Sequence, residues 1–289
     1  MVLKSKKYIM FFLAPALFLV TVFLYYPLLT TFYYSLMDWH DFSVLKTFTG
    51  LSNYQTMFTD PVIQKALCNT LILAAGAVLF QVGIALILAL MADSINVGFK
   101  FFRTAFFFPV VISGTAIGLM FYLTYGYEYG LLNAVLALMG KEKQVWITES
   151  SALTLVLIPV IWQYVGFYFV IFLTAITKVP SDIYESAMID GISGIKKAFY
   201  ITIPLIWDVI AISLALVITG VFKVFDVVYM ITGGGPLDAS QLLSTYMYQK
   251  TFTGQNQGYG STIAVLMMVL GLVLASISNK LTEREKIAY

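Results

Sequence analysis

The chain has 289 residues, 60% of them hydrophobic and 11% charged, with a net charge of +2 and one cysteine. A water-soluble protein of this length cannot hide so much apolar surface, so lipid is the expected solvent. One cysteine excludes an intrachain disulfide; Cys68 reads as a small buried hydrophobe, and the slight positive charge is topological in origin rather than a nucleic-acid footprint.

Crossing a bilayer takes about 20 mostly apolar residues per helix, and six stretches meet or approach that length. The first, residues 9–36, carries no Asp, Glu, Lys or Arg and runs through Pro27 and Tyr33 without a small-residue cleavage site, so a retained first helix is expected. A substantial outer loop follows, where His40 stands beside Trp39 and Asp41 with no second ligand at metal spacing; no metal site is expected there. The second and third stretches, 71–91 and 104–125, are also uncharged and joined by a short connection.

The fourth stretch, 152–177, holds Trp162, Gln163, Tyr164, Phe167 and Tyr168. Aromatic faces there can line a ligand path or simply pack helix against helix and anchor at the interface. Gln163 is different in kind, because an amide at membrane depth needs partners.

Residues 178–204 then form a polar, glycine-punctuated inner loop. Pro180 stops the preceding helix, Asp182 can cap a new one with Glu185 three residues on, and Gly191 ends it. Ser193 can cap a second short helix running to Ile201, and Pro204 marks entry into the next span. On the first short helix Ile183, Ala187 and Asp190 fall near one face, and the small Ser186 and Ala187 leave room for another surface. A helix this short is marginal alone in water. Asp190 at its C-terminal end opposes the macrodipole, which points to a role other than helix stability.

The fifth stretch, 209–228, contains Lys223 and Asp226, which can pair on one helical face or meet a ligand. Gly233 to Pro236 follow as a sharp, close-approaching bend, and residues 261–278 complete the six. With the N-terminus inside, inner segments hold Lys4, Lys6, Lys7, Lys100, Arg103, Lys178, Lys196, Lys197, Lys280, Arg284 and Lys286. Outer loops hold only Lys46, Lys65, Lys141, Lys143 and Lys250, so both termini are expected in the cytoplasm. The expected class is an all-α polytopic membrane protein with six transmembrane helices, forming a single domain over residues 1–289.

The spacing Glu185, Ala187, Gly191, Ile201, Pro204 resembles the EAA loop of binding-protein-dependent ABC importer permeases, with Ser186 and Ile203 replacing the family's usual Ala and Leu. Gly50-Leu51-Ser52-Asn53-Tyr54, Asp60-Pro61, Asn69-Thr70, Asp190-Gly191 and the run Ile231 to Pro236 look like the carbohydrate branch, which includes the larger maltose permease and the glycerol-phosphate and multiple-sugar permeases. The resemblance implies a type I ABC importer permease in a bacterial or archaeal plasma (inner) membrane. It implies that Glu185, Ser186, Ala187, Asp190 and Gly191 couple to an ATPase, and that Trp162, Gln163, Tyr164, Phe167, Lys223 and Asp226 are candidates for a sugar path.

Implied partners are a second permease subunit, two cytoplasmic ATPase subunits, an extracytoplasmic solute-binding protein and the sugar itself. No cofactor and no nucleic acid is implied, and the chain is not expected to be an enzyme. In agreement, no G-x-x-x-x-G-K-[ST] phosphate loop occurs in the sequence. An ion-coupled secondary transporter is the alternative; it would ordinarily show more spans, an internal repeat and carboxylates near the midplane.

Overall fold

A computed structural model describes residues 6–93 and 99–283. Lys4, Arg284 and Lys286 of the inner charge set, and most of the short connection after the second span, lie outside the described residues. Among the described residues the fold is all-α apart from a two-residue antiparallel pairing of Met37–Asp38 with Thr47–Phe48 and a single antiparallel bridge between His40 and Asn256. Among the described residues four helices are long and apolar enough to cross a membrane: Met10–Ser35, Pro61–Ala92, Ala152–Ile176 and Gln257–Thr282. Two bent pairs raise the number to six if each is one span: Phe101–Val111 with Gly114–Thr124, and Gly194–Leu205 with Trp207–Val221.

The first of these pairs corrects the expectation of an unbroken third span. Its halves meet at 92° across Ile112 and Ser113. Ser113 has extended backbone and its Oγ accepts a hydrogen bond from the Ala116 amide at 3.2 Å, so it opens a new helix as an N-cap. Pro109 sits just upstream, and a Pro with a Ser-Gly step is an ordinary cause of a sharp kink. The fifth span is corrected at its end: its helix, entered through a 74° bend at Ile206, stops at Val221, short of the expected boundary at residue 228.

The chain divides into two compact units. The smaller comprises residues 1–63 and 247–268. Its first span exposes Phe11, Phe12, Phe18 and Phe23, side chains that only lipid or another protein can cover. Asn53 closes the end of that span, its Nδ2 donating at 3.0 Å to the Ser35 carbonyl, which a helix terminus leaves without an intrahelical partner, and at 2.9 Å to the Met37 carbonyl of the strand that follows. Tyr54 meets the Ser35 hydroxyl at 2.8 Å, and Tyr259 donates to Asp60 Oδ2 at 2.7 Å. His40 pairs with Asp38 at 2.8 Å on the surface. Several residues that carry the family resemblance are thus staples.

The larger unit, residues 64–246 and 269–289, is built around the fourth span, against which the second span, both halves of the third, and the fifth pack. Ala74, Ala77, Ala85 and Ala89 form a buried small-residue seam on the second span, which lets helices approach closely without any hydrophobic drive from lipid. Phe169 and Phe172 of the fourth span are fully buried. At Gly166 a Cβ would run into the Phe106 carbonyl, so the third span crosses the fourth on bare backbone. Cys68 is exposed, contrary to its reading as a buried hydrophobe.

Candidate substrate path and coupling surface

Backbone groups broken out of a helix inside a membrane must find partners within the protein, and most buried polar side chains of the larger unit serve that need. Pro159 has no amide to offer the Leu155 carbonyl, and Tyr125 Oη donates to that oxygen instead at 3.0 Å. Gln163 is buried, and its Nε2 donates to the Ile112 carbonyl at 3.2 Å, the group freed at the break in the third span. Gln163, a candidate for the path, thus braces the kink through its amide nitrogen. Asn69 donates to the Ala239 and Gln241 carbonyls at 3.0 Å each, and Thr70 Oγ1 accepts from the Leu243 amide.

The run Ile231 to Pro236 is bent as expected. Gly233 and Gly234 take φ of +61° and +96°, and a Cβ on Gly234 would strike the Gln241 side chain. Thr232 Oγ1 accepts from both the Gly234 amide and the Ser240 hydroxyl, tying the bend into a knot.

The remaining path candidates separate. Trp162 lines a largely apolar groove of about 880 Å³ with Phe80, Phe106 and Leu157, where Thr154 and the indole itself are the polar side chains. Phe167 is partly buried and packs on the core. Lys223 and Asp226 do not share a helical face: the fifth span ends at Val221, and Asp226 begins the next short helix, Asp226–Ile231. No ion pair joins them, and the Asp226 carboxylate lies instead over Gly114. The backbone between them is held by Ser244, whose hydroxyl donates to the Val224 carbonyl.

Tyr164 and Lys223 do come together. They line a cavity of about 160 Å³ between the fourth and fifth spans, with Gln81, Tyr168, Gly220 and Val224. Gln81, which the sequence reading passed over, is buried and donates from Nε2 to the Val160 carbonyl at 2.9 Å, leaving its amide oxygen for another partner. A lone Gln in an uncharged apolar stretch was the available signal. Gly220 opens on space, since nothing lies within 4 Å of where its Cβ would be. The helix Trp207–Val221 has 15 residues, about 22 Å of rise against a hydrocarbon core of about 30 Å. Lys223, exposed in this chain, follows two residues beyond the helix toward the outer end of the span, where a charge in the hydrocarbon costs about 2.5–3.5 kcal/mol unless it snorkels or faces a cavity or a partner.

The inner loop forms the helix Ser181–Ile189. Its N-cap is Pro180 rather than Asp182, which lies inside the first turn where its charge still favours the helix N-terminus. At the other end Gly191 has φ of +73°; its amide donates to the Met188 carbonyl and that of Ile192 to the Ala187 carbonyl, a Schellman ending. Ser193 precedes the second inner helix without the expected side-chain cap bond, and that helix runs on to Leu205 rather than stopping at Ile201. Lys197 Nζ lies 4.8 Å over the Tyr184 ring and ties the two helices together. Ala187 is buried against the chain itself, so the outward face is made by Glu185, Ser186, Met188, Ile189 and Asp190. Ile189 is 87% exposed and Ile195, on the second helix, 78%. Large aliphatic side chains presented this openly on a polar loop ask for a protein partner.

Comparison with known proteins agrees along the whole chain. The family described as "Binding-protein-dependent transport system inner membrane component" matches residues 8–287. The probable ABC transporter permease protein YurN of Bacillus subtilis is 38% identical over 97% of both chains, and the arabinooligosaccharides transport system permease protein AraP of the same organism is 31% identical over 96% of this chain and 89% of its own. A solved bacterial ABC transporter involved in alginate import contains a chain of the same fold, with a TM-score of 0.83, 23% identity and coverage of 96% of this chain and 95% of that one. The chain belongs to the family of inner membrane components of binding-protein-dependent transport systems.

Proposed function

We propose that the chain is the permease subunit of an ATP-driven importer that passes a sugar delivered by an extracytoplasmic binding protein. The protein is a multi-pass component of the plasma membrane, and ATP hydrolysis is the work of a separate ATPase subunit. Family membership leaves the ion-coupled alternative without support. That relatives such as AraP are named for oligosaccharides supports a saccharide cargo.

The observation that carries the reading is the outward face of the helix Ser181–Ile189: a helix closed at its C-terminus by Gly191 and braced by Lys197 holds Glu185, Met188 and Ile189 out where an ATPase can take them. We place this loop, residues 178–204, in the cytoplasm with both termini, following the distribution of basic residues.

The Gln81–Tyr164–Tyr168–Lys223 cavity is this chain's share of the sugar path. At about 160 Å³ it is smaller than the roughly 300–1,000 Å³ of ordinary ligand pockets, so a second permease subunit closes the other side. Two ATPase sites require two coupling loops, which calls for the same second chain. ATP binding would draw the two ATPases together and turn the paired permeases about each other as rigid bodies. Uptake of labelled oligosaccharide into vesicles holding the complete importer tests the assignment. Uptake should require ATP and the binding protein, and Lys223→Ala should lower it while the protein still inserts. Uptake driven by a proton or sodium gradient without ATP contradicts it.

A further inference from the structure

We propose that the transported sugar carries a negatively charged group, a carboxylate, phosphate or sulfonate, and that Lys223 selects it. This rests on the reading of the Gln81–Tyr164–Tyr168 cavity as part of the sugar path. Lys223 is the one charged residue lining that cavity, and among the described residues no carboxylate lies within 4 Å of its ammonium. Asp226, the acid nearest in sequence, belongs to the next helix and lies over Gly114.

The hydroxyls of the two tyrosines can act together with that charge, while the Gln81 amide oxygen is an acceptor suited to a sugar hydroxyl. An ammonium offers three donors and no acceptor, and the phenols of Tyr164 and Tyr168 each bring an O–H. A site so rich in donors and positive charge, at a depth where an uncompensated ion is costly, suits a ligand that brings the negative charge with it. A neutral sugar would leave Lys223 to be matched by an acid of the second permease, and that is the competing arrangement.

The test uses the complete importer in lipid nanodiscs, with Gly220→Cys as the reporter inside the cavity on a Cys68→Ser background. Mass spectrometry of the labelled peptide follows its reaction with a sulfonate-bearing and with a trimethylammonium-bearing methanethiosulfonate. With each rate divided by that reagent's rate on free glutathione, the anionic reagent should react about tenfold faster or more, as for a cleft of one charge sign. The preference should vanish in Lys223→Gln and return in Lys223→Arg. Equal rates, or a preference for the cation, in the presence of Lys223 overturn the proposal and indicate an acid from the partner permease. A cysteine that neither reagent reaches overturns the underlying placement of the path instead. In parallel, ATPase stimulation of the complex with its binding protein is compared between a uronic-acid oligosaccharide mixture and a neutral one. Stimulation by the acidic mixture supports the proposal, and stimulation confined to the neutral mixture contradicts it. Where neither mixture acts, the thiol ratio decides.

Discussion

Two residues of the fourth and fifth spans show how differently polar and small positions are used at membrane depth. Gln163 holds the Ile112 carbonyl, so Gln163→Leu leaves a broken backbone group unpaired in an apolar setting. The expected cost is about 1–2 kcal/mol, read as a lowered melting temperature of the detergent-solubilised chain with near-normal membrane level; an unchanged melting temperature would show that the bond contributes nothing. Gly220→Leu acts the other way. Its side chain enters open space in the 160 Å³ cavity, so the fold should tolerate it while uptake falls by roughly tenfold or more. Wild-type uptake by that variant would remove the cavity from the path. Neither role was legible in the sequence: the Gln163 partner lies 51 residues away, and the opening at Gly220 depends on how two helices cross.

At the scale of elements, the six apolar stretches and the inner loop were legible because lipid and helix length impose a coarse composition rule that a sequence cannot evade. The ending at Gly191 was legible for the same kind of reason, since a left-handed C′ position strongly favours glycine. The kinks were not. Ser113-Gly114 stood in plain view inside an uncharged stretch, but hydropathy averages over a break, and the Ser113 cap, the Gln163 bond and the bare crossing at Gly166 show that the helix stops there. The apparent Lys223–Asp226 pair failed through the same averaging, because the fifth span ends two residues before the lysine. One prediction belongs here. Gly191→Val forces a β-branched residue into φ of +73°, costing about 1–2 kcal/mol per misplaced residue. It should loosen the Ser181–Ile189 helix and weaken ATPase retention, measured as the fraction of ATPase that copurifies. Full retention would mean that the Schellman ending does not set the docking geometry.

For the molecule as a whole, the division of labour is the main result. The chain carries no phosphate loop, yet presents a capped helix with exposed Met188 and Ile189 on one side and a donor-rich cavity within its spans. Such a protein works only as part of an assembly. The most direct test is purification of the tagged chain from its native membrane in mild detergent, wild type beside Glu185→Lys, with identification of what accompanies each. An ATPase and a second permease should copurify with wild type, and the ATPase should be lost from the variant while the second permease stays. A chain that emerges alone in both cases, or an ATPase retained undiminished by Glu185→Lys, would contradict the coupling role of the inner loop.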